Sequence, residues 1–283
     1  MNAGIITYGC KVNSYETNLI RQRLEAAGIT INEGSADVYI INSCTVTGKI
    51  DSEISARIRS LKKKGKKVII TGCMAQSPEA GEILRQADAV VLNADKFDPM
   101  AYPGLNCAVS EKAEDNGLIL RGFEGRSRAF IKVEDGCDRY CSYCRVPYVR
   151  GDKIKSRPAE EIIMEAEALA GAGYSEIVLT GVNLGLYGSE RGEKEGPVKL
   201  LEKLSDVRWG GRFRLSSIGP RETTDALIEF VASSGGRVCP HFHMSLQSGD
   251  SRVLERMNRN YDAGFFEGRI SRIEAAITLA GIC

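Results

Sequence analysis

One pattern recurs three times in the first hundred residues: a short apolar run, a polar residue or glycine, a cysteine and a helical segment. The apolar runs are residues 4–7, 38–41 and 68–71. The cysteines that follow them are Cys10, Cys44 and Cys73. Short apolar runs that alternate with helices are typical of βαβ units, so we expect a parallel sheet. Because ligands bind beyond the carboxyl ends of strands in such sheets, these cysteines are candidate ligands of one centre, with simple packing as the alternative.

Helix boundaries follow from short signals around these runs. The first helix is expected to start near Asn13, because Asn13 and Glu16 resemble a capping box. The second is expected to stop at Gly65, since glycine commonly closes helices. The third is expected to begin at Ser77 and Pro78, a good N-cap followed by proline at the first helical position.

A second series of strands and helices follows residues 98–127, a less periodic stretch that we interpret as a linker. The expected strands are residues 129–134, 176–180, 212–218, 241–247 and 276–282, and the clearest helix is 158–169. The predicted fold class is α/β, with an N-terminal parallel-sheet domain over residues 1–97 and a partial β/α barrel over residues 128–283. Because the chain ends at the fifth strand of this series, we expect it to be a truncated product.

A second set of cysteines stands on one short loop, DGCDRYCSYC, after the first strand of that series. Its members are Cys137, Cys141 and Cys144. Three thiolates on one loop can bind three irons of a cubane cluster and leave the fourth iron open. An open position is typical of a catalytic metal site. A zinc site or simply buried thiols are the alternatives, but zinc usually takes four ligands and the neighbouring sequence offers no fourth Cys or His.

Composition limits the classes of function. The net charge of +1 over 283 residues gives no broad basic excess of the kind that marks electrostatic nucleic-acid binding. The sequence contains no apolar run of membrane-spanning length and no signal-peptide pattern, so we expect a cytoplasmic protein with no membrane partner. Nine cysteines in a reducing compartment favour metal binding or catalysis over disulfides.

Together the two cysteine sets resemble those of the radical S-adenosylmethionine (SAM) methylthiotransferases. Softer motifs are similar to the MtaB branch, which modifies tRNA bearing N6-threonylcarbamoyladenosine beside the anticodon. These motifs are GCKVNSYE from Gly9, NSCTVT from Asn42, VLTGVN from Val178, RLSSI from Arg214, LQSG from Leu246 and RMNR from Arg256. The resemblance covers nearly all of the chain.

The resemblance implies two [4Fe-4S] clusters and SAM as cofactors, tRNA as substrate, and an electron donor such as flavodoxin or ferredoxin. The loop cysteines would hold the cluster that reduces SAM, giving a 5′-deoxyadenosyl radical that removes hydrogen from C2 of adenine. The strand-end cysteines would hold an auxiliary cluster that delivers sulfur, and a second SAM would supply the methyl group. Tyr143 would lie near the SAM adenine. The other candidate SAM contacts follow later barrel strands: Gly181, Asn183, Ser217 and Gln247.

Three other functions remain open from the residues: methylthiolation of a ribosomal protein, a non-catalytic iron–sulfur protein, and a zinc-bound α/β binding module. The chain also departs from the family pattern. We expect it to lack the C-terminal TRAM domain that family members usually carry, Gly219 stands where the family often has Glu, and Ser245 stands where it often has Pro. Arg145, Arg150 and Arg157 near the cysteine loop are candidates for RNA contact.

Overall fold

The computed structural model describes residues 2–44, 48–107, 119–123, 127–277 and 281–282. The contacts within the chain divide it into two compact units, Met1–Leu120 with Tyr148–Arg150, and Arg121–Pro147 with Gly151–Cys283. Some of the predicted features lie outside the described residues: positions 45–47 of the NSCTVT motif, 108–118 and 124–126 of the linker, and Cys283.

The first unit is built on a parallel sheet. Its strands are β1 (Asn2–Thr7), β2 (Thr30–Ile31), β3 (Val38–Ser43), β4 (Lys67–Gly72) and β5 (Ala89–Val90). They lie in the order β2-β1-β3-β4-β5, and each neighbouring pair is parallel. Every residue of β3 is buried, which explains why its sequence is apolar rather than alternating. The predicted parallel sheet is confirmed.

Helices cover both faces of this sheet. They are α1 (Lys11–Ala26), α2 (Gly48–Lys63) and α3 (Gly81–Leu84). Ile20 and Leu24 of α1 pack in one apolar cluster with β1 and β3, while Ile54 and Ile58 of α2 pack in a second cluster with β3 and β4. The alternation of strand and helix therefore buries apolar side chains on each side of the sheet.

The predicted start of α1 is wrong by two residues. The helix begins at Lys11, and its N-cap position is Cys10, which makes no side-chain capping hydrogen bond. Asn13 and Glu16 are both fully buried and bond to groups beyond the helix. The capping-box interpretation is therefore also wrong, because distant partners draw both side chains into the protein.

The second unit contains a second set of parallel strands. Its strands are β6 (Ala129–Lys132), β7 (Glu134–Asp135), β8 (Lys155–Ser156), β9 (Glu176–Thr180), β10 (Arg212–Leu215), β11 (His241–Phe242) and β12 (Gly281–Ile282). A three-stranded sheet has the order β10-β9-β6. Parallel bridges from Phe213 to Val238 and from Ser217 to His243 continue this order towards β11, which pairs with β12. Sequential parallel strands of this kind confirm the α/β class and fit a partial barrel.

The later strands are shorter than predicted. Residues 245–247 are exposed, and Gln247 has a positive φ of 67°, so β11 cannot continue to residue 247. Ala276 ends a helix instead of opening a strand. Strand propensity was overridden in both places by the local backbone and by helix packing.

Helices separate these strands in the second unit. They are α4 (Val146–Val149), whose last two residues count with the first unit, α5 (Ala159–Gly171), α6 (Gly196–Ser205), α7 (Asp225–Ser233), α8 (Ser251–Arg256) and α9 (Ala263–Ala276). Thr224, Asp250 and Asp262 cap α7, α8 and α9 with side-chain hydrogen bonds. Over the described ranges, none of the helices is long and apolar enough to cross a membrane.

Candidate functional site

The strand-end cysteines stand at the carboxyl edge of the first sheet. Cys10, Cys44 and Cys73 follow β1, β3 and β4, which are neighbours in that sheet. Cys44 and Cys73 are buried and Cys10 is exposed. Burial raises the pKa of Cys73 to about 11; the Arg150 guanidinium opposes this rise, while Glu16 and the other two thiols add to it. The parallel register therefore brings together three thiols that are far apart in sequence.

Two glycines let the connections that carry these thiols pack closely. A Cβ on Gly9 would lie 2.6 Å from the Cβ of Cys44, and a Cβ on Gly72 would lie 2.5 Å from the backbone oxygen of Ser43. Both glycines also have positive φ, which side chains disfavour. The close approach at this edge depends on the absence of side chains at both positions.

A buried polar network lies behind the same edge. The Asn13 amide donates to the backbone oxygens of Tyr8 and Ser43, at 2.8 and 2.9 Å, and so bridges the ends of β1 and β3. The Arg150 guanidinium donates to the Asn13 side-chain oxygen at 2.6 Å and to the Glu16 carboxylate at 3.1 Å. Lys96 binds the other oxygen of that carboxylate at 2.7 Å, and all three charged side chains are buried. Charged groups this deeply buried need such pairing.

The loop cysteines lie in the second unit, just after β7. The Cys144 amide donates to the Cys141 carbonyl at 2.9 Å, and the Cys137 amide donates to the Gly151 carbonyl at 3.1 Å. Burial raises the pKa of Cys137 to about 11 and also raises the pKa of Cys144. Gly136, at φ 87°, turns the chain into this loop. One backbone hydrogen bond within the loop and one to Gly151 thus hold its shape.

A segment after α8 clamps this loop. The Asn258 amide donates to the backbone oxygen of Tyr140 at 2.9 Å, and the Met257 carbonyl accepts from the Ser142 amide at 3.1 Å. The Arg259 guanidinium donates to the sulfur of Cys141 at 3.1 Å. Arg259 is the last residue of the RMNR motif, and no local sequence signal indicates its contact with Cys141.

Glu134 joins the loop to the candidate SAM residues after β9. Its buried carboxylate accepts from the amides of Val182 and Asn183, at 2.9 and 3.1 Å. A Cβ on Gly181 would lie 2.5 Å from the same carboxylate, so a side chain there would displace it. Burial raises the pKa of Glu134 to about 8, although the two amides oppose the rise. Glu134 was not predicted as a site residue, because no local motif marks it.

A cavity of about 190 Å³ opens beside the loop in the second unit. Among its lining residues are Cys141, Asn183, Gly219, Glu222 and Arg259. The Asn183 side-chain oxygen accepts from the Gly219 amide at 3.0 Å, and a Cβ on Gly219 would overlap the Glu222 carboxylate. The same carboxylate binds Arg139 at 2.6 Å. The Glu222 carboxylate therefore fills the space beside Gly219. Position 219 is the one at which the family often has a glutamate.

The other candidate SAM residues are placed differently. The Tyr143 hydroxyl lies 3.4 Å from the Arg259 guanidinium, and burial raises its pKa to about 12. The Ser217 carbonyl accepts from the Leu184 amide at 3.0 Å and so supports the connection after β9. Gln247 is exposed on the bend after β11. None of the three lines the 190 Å³ cavity in the described structure.

Two of the predicted RNA-contact arginines are unavailable at the surface. The Arg150 side chain is only 3% exposed and pairs with Glu16, while Arg157 is 12% exposed and pairs with Glu165. Arg145 is exposed and keeps that prediction. The error arose because sequence position beside a loop does not reveal burial.

The donor chemistry of both sets fits an iron–sulfur cluster. Each set offers thiols alone, which are the ligands that such clusters take. Within the described ranges, no three cysteine, histidine or acidic side chains already converge on a point that a metal ion could occupy. The assignment of ligands to either cluster therefore stays a prediction.

Comparison with known proteins gives independent information. Residues 2–94 match the model of an uncharacterized protein family, UPF0004, and residues 131–277 match the radical SAM superfamily. The threonylcarbamoyladenosine tRNA methylthiotransferase MtaB of Thermotoga maritima is 37% identical over 280 residues, which is 96% of this chain and 64% of that protein. MtaB of Aquifex aeolicus is 34% identical and is matched over 94% of this chain and 68% of its own length. The chain belongs to the radical SAM methylthiotransferases.

Membership of the radical SAM superfamily implies SAM and a [4Fe-4S] cluster. The chain spans a little under two thirds of the length of the Thermotoga relative. Among solved structures, the radical SAM methyltransferase TsrM from Kitasatospora setae matches with a TM-score of 0.66 and 14% identity, over 99% of this chain and 67% of that chain. At this identity the likeness shows the fold alone, and it supports the α/β architecture.

Proposed function

We propose that this chain carries the catalytic part of a methylthiotransferase that acts on C2 of N6-threonylcarbamoyladenosine in tRNA. The observation that carries the proposal is the 37% identity to the MtaB of Thermotoga maritima over 96% of the chain. The protein would work in the cytoplasm with an electron donor such as flavodoxin or ferredoxin. The division into residues 1–97, 98–127 and 128–283 belongs to this proposal.

The two cysteine sets have separate roles in the proposal. Cys137, Cys141 and Cys144 hold the cluster at which SAM binds, and Cys10, Cys44 and Cys73 hold a second cluster. When bound, SAM and the clusters supply the radical, the sulfur and the methyl group for the reaction at C2. The chain's own residues hold these groups in place and keep water out of the site.

The residues around the cavity orient SAM. Asn183 presents its side chain at the cavity wall, and Glu134 fixes the backbone of Gly181 and Asn183 from behind. Tyr143 lies beside Arg259 at the cysteine loop and offers a ring face to the adenine. Ser217 supports the connection after β9, and Gln247 would approach SAM only from the bend after β11.

Iron and sulfide analysis after anaerobic reconstitution tests the ligand assignment. We expect about eight irons per chain, and about four in each of two triple variants, one with the loop cysteines and one with the strand-end cysteines changed to alanine. Cys107→Ala is the matched control, because Cys107 belongs to neither set. About four irons that only the loop triple variant loses would remove the second cluster from the proposal.

Product analysis tests the substrate. The reconstituted protein is incubated with SAM, a reductant and tRNA bearing N6-threonylcarbamoyladenosine, and the nucleosides are examined by mass spectrometry for the methylthio group. A ribosomal protein substrate is tested in parallel. Modification of the protein and not of the tRNA would favour the sister branch, whereas SAM that is never cleaved would favour a non-catalytic iron–sulfur protein.

A further inference from the structure

The contact between Arg259 and Cys141 joins a fixed positive charge to the cysteine loop. The guanidinium donates to the Cys141 sulfur at 3.1 Å from one terminal nitrogen and to the Tyr261 hydroxyl at 3.2 Å from Nε. The Tyr261 hydroxyl in turn donates to the backbone oxygen of Ser245 at 2.9 Å. Arg259 is therefore held from two sides, and its direction is set by the fold.

The backbone next to Arg259 is also fixed to the loop. Asn258 adopts a positive φ of 54° and donates from its side chain to the backbone oxygens of Tyr140 and Arg139. Asparagine adopts this left-handed backbone more readily than most other non-glycine residues do. The backbone beside Arg259 is therefore tied to the cysteine loop through the Asn258 side chain.

A cation that donates a hydrogen bond to a cluster thiolate changes the reduction potential of the cluster. Reduction adds one negative charge to the cluster, and a nearby positive charge stabilises the reduced form. Hydrogen bonds to the sulfurs are among the recognised determinants of iron–sulfur potentials. Charged donors make stronger hydrogen bonds than neutral ones, and groups around a metal site tune its ligands.

We propose that Arg259 is a positioning residue that raises the reduction potential of the cluster held by Cys137, Cys141 and Cys144, through its hydrogen bond to Cys141. This rests on the proposed function, since it needs a cluster on that loop. Arg259 also lines the 190 Å³ cavity, so a contact with the SAM carboxylate is the competing role. The two roles differ in one respect: the redox role operates before SAM binds.

The test is the midpoint potential of the cluster in SAM-free protein, followed by electron paramagnetic resonance during a redox titration. Arg259→Gln keeps a donor but removes the charge, and Arg259→Lys keeps the charge. Arg256→Gln is the matched control, because Arg256 is an exposed residue at the end of α8. Iron content and circular dichroism are recorded for each protein.

We expect the reduction potential of Arg259→Gln to be about 59 mV lower than that of the unchanged protein. For one electron this corresponds to a tenfold change in the reduction equilibrium. Arg259→Lys should restore part of this loss, and Arg256→Gln should match the unchanged protein. Iron loading that fails in Arg259→Gln but survives in Arg259→Lys would assign the charge to cluster assembly and overturn the redox role.

An unchanged potential in iron-loaded Arg259→Gln would overturn the inference, and weaker SAM binding in that variant would assign Arg259 to the SAM carboxylate. Iron loss in both Arg259 variants, with a native circular dichroism spectrum, would assign it to loop assembly and overturn the redox role. Neither result touches the proposed function, which fails instead if the unchanged protein binds no iron.

Discussion

The Arg150 guanidinium donates to the side-chain oxygen of Asn13 at 2.6 Å, and Asn13 uses its own amide to bridge the ends of β1 and β3. This arrangement ties a buried cation to the two connections that carry Cys10 and Cys44. The polar network is therefore part of what shapes the strand-end cysteine set.

Asn13→Ala should lower the free energy of unfolding by about 2–4 kcal/mol, because it removes two buried hydrogen bonds to backbone oxygens and one from Arg150. Urea denaturation measures the change. Asn18→Ala, on the same helix, is the control, since the Asn18 amide donates within the helix to the Ser14 oxygen. We expect about 1 kcal/mol or less for the control. Equal losses in the two variants would show that Asn13 does not bridge the strands.

Gly72→Ala should destabilise the first unit more than Gly65→Ala. Both glycines have positive φ, at 88° and 70°, so alanine pays a similar backbone cost of about 1–2 kcal/mol in each. A Cβ at Gly72 would also meet Asn42 and Ser43 at 2.5 Å, whereas the space around Gly65 is open. Thermal denaturation of both variants gives the comparison. Equal melting temperatures would mean that the sheet edge can relax around the new methyl group.

Glu134→Gln should change how stability depends on pH. The folded pKa of Glu134 is raised to about 8, so the folded protein holds this proton more tightly than the unfolded chain does. That contribution is fully present below the ordinary glutamate pKa and is lost as the pH rises through about 8. Between pH 5 and pH 8 the unchanged protein should therefore lose stability relative to the variant, by the order of a few kcal/mol at about 1.4 kcal/mol per pKa unit.

The measurement is urea denaturation at several pH values, with Glu202→Gln as the control on an exposed helical glutamate. A constant difference between Glu134→Gln and the unchanged protein over this range would mean that Glu134 stays ionised. Its two amide donors would then outweigh burial.

Gly219→Ala should be coupled energetically to Glu222. The new methyl group would take the space of the Glu222 carboxylate and break its contact with Arg139, at a cost of about 1 kcal/mol for a partly exposed pair. In a Glu222→Ala background the same change should cost less, because the space is already empty. A double-mutant cycle in urea measures this coupling. Additive effects would show that Glu222 moves away without loss.

The sequence was sufficient for the features that depend on local apolar patterning. The runs at residues 38–41 and 68–71 are buried on both faces of a parallel sheet, and such runs can be recognised without a structure. The β9 prediction, residues 176–180, matches the structure at both ends. The sequence also shows that Cys137, Cys141 and Cys144 share one short segment, and their role as cluster ligands stays a prediction.

Features that depend on distant partners were missed. The sequence around Glu16 predicted a helix cap. In the structure Glu16 is buried and forms ion pairs with Lys96 and Arg150, which are far away in the chain. Glu134 and Arg259 carry no local signal of their contacts with Asn183 and Cys141. Tertiary packing decides such contacts, and a single sequence does not identify which distant residues will contact each other.

The two cysteine sets also differ in what must fold before their thiols come close together. Cys137, Cys141 and Cys144 share one loop, so a chain that is still largely unfolded can already wrap them around iron at a small loop-closure cost. Cys10, Cys44 and Cys73 become neighbours only after β1, β3 and β4 have paired, since nothing else brings them together. Assembly of the proposed centres thus has different requirements: the loop needs only a short segment of chain to close, whereas the sheet edge needs β1, β3 and β4 to have paired.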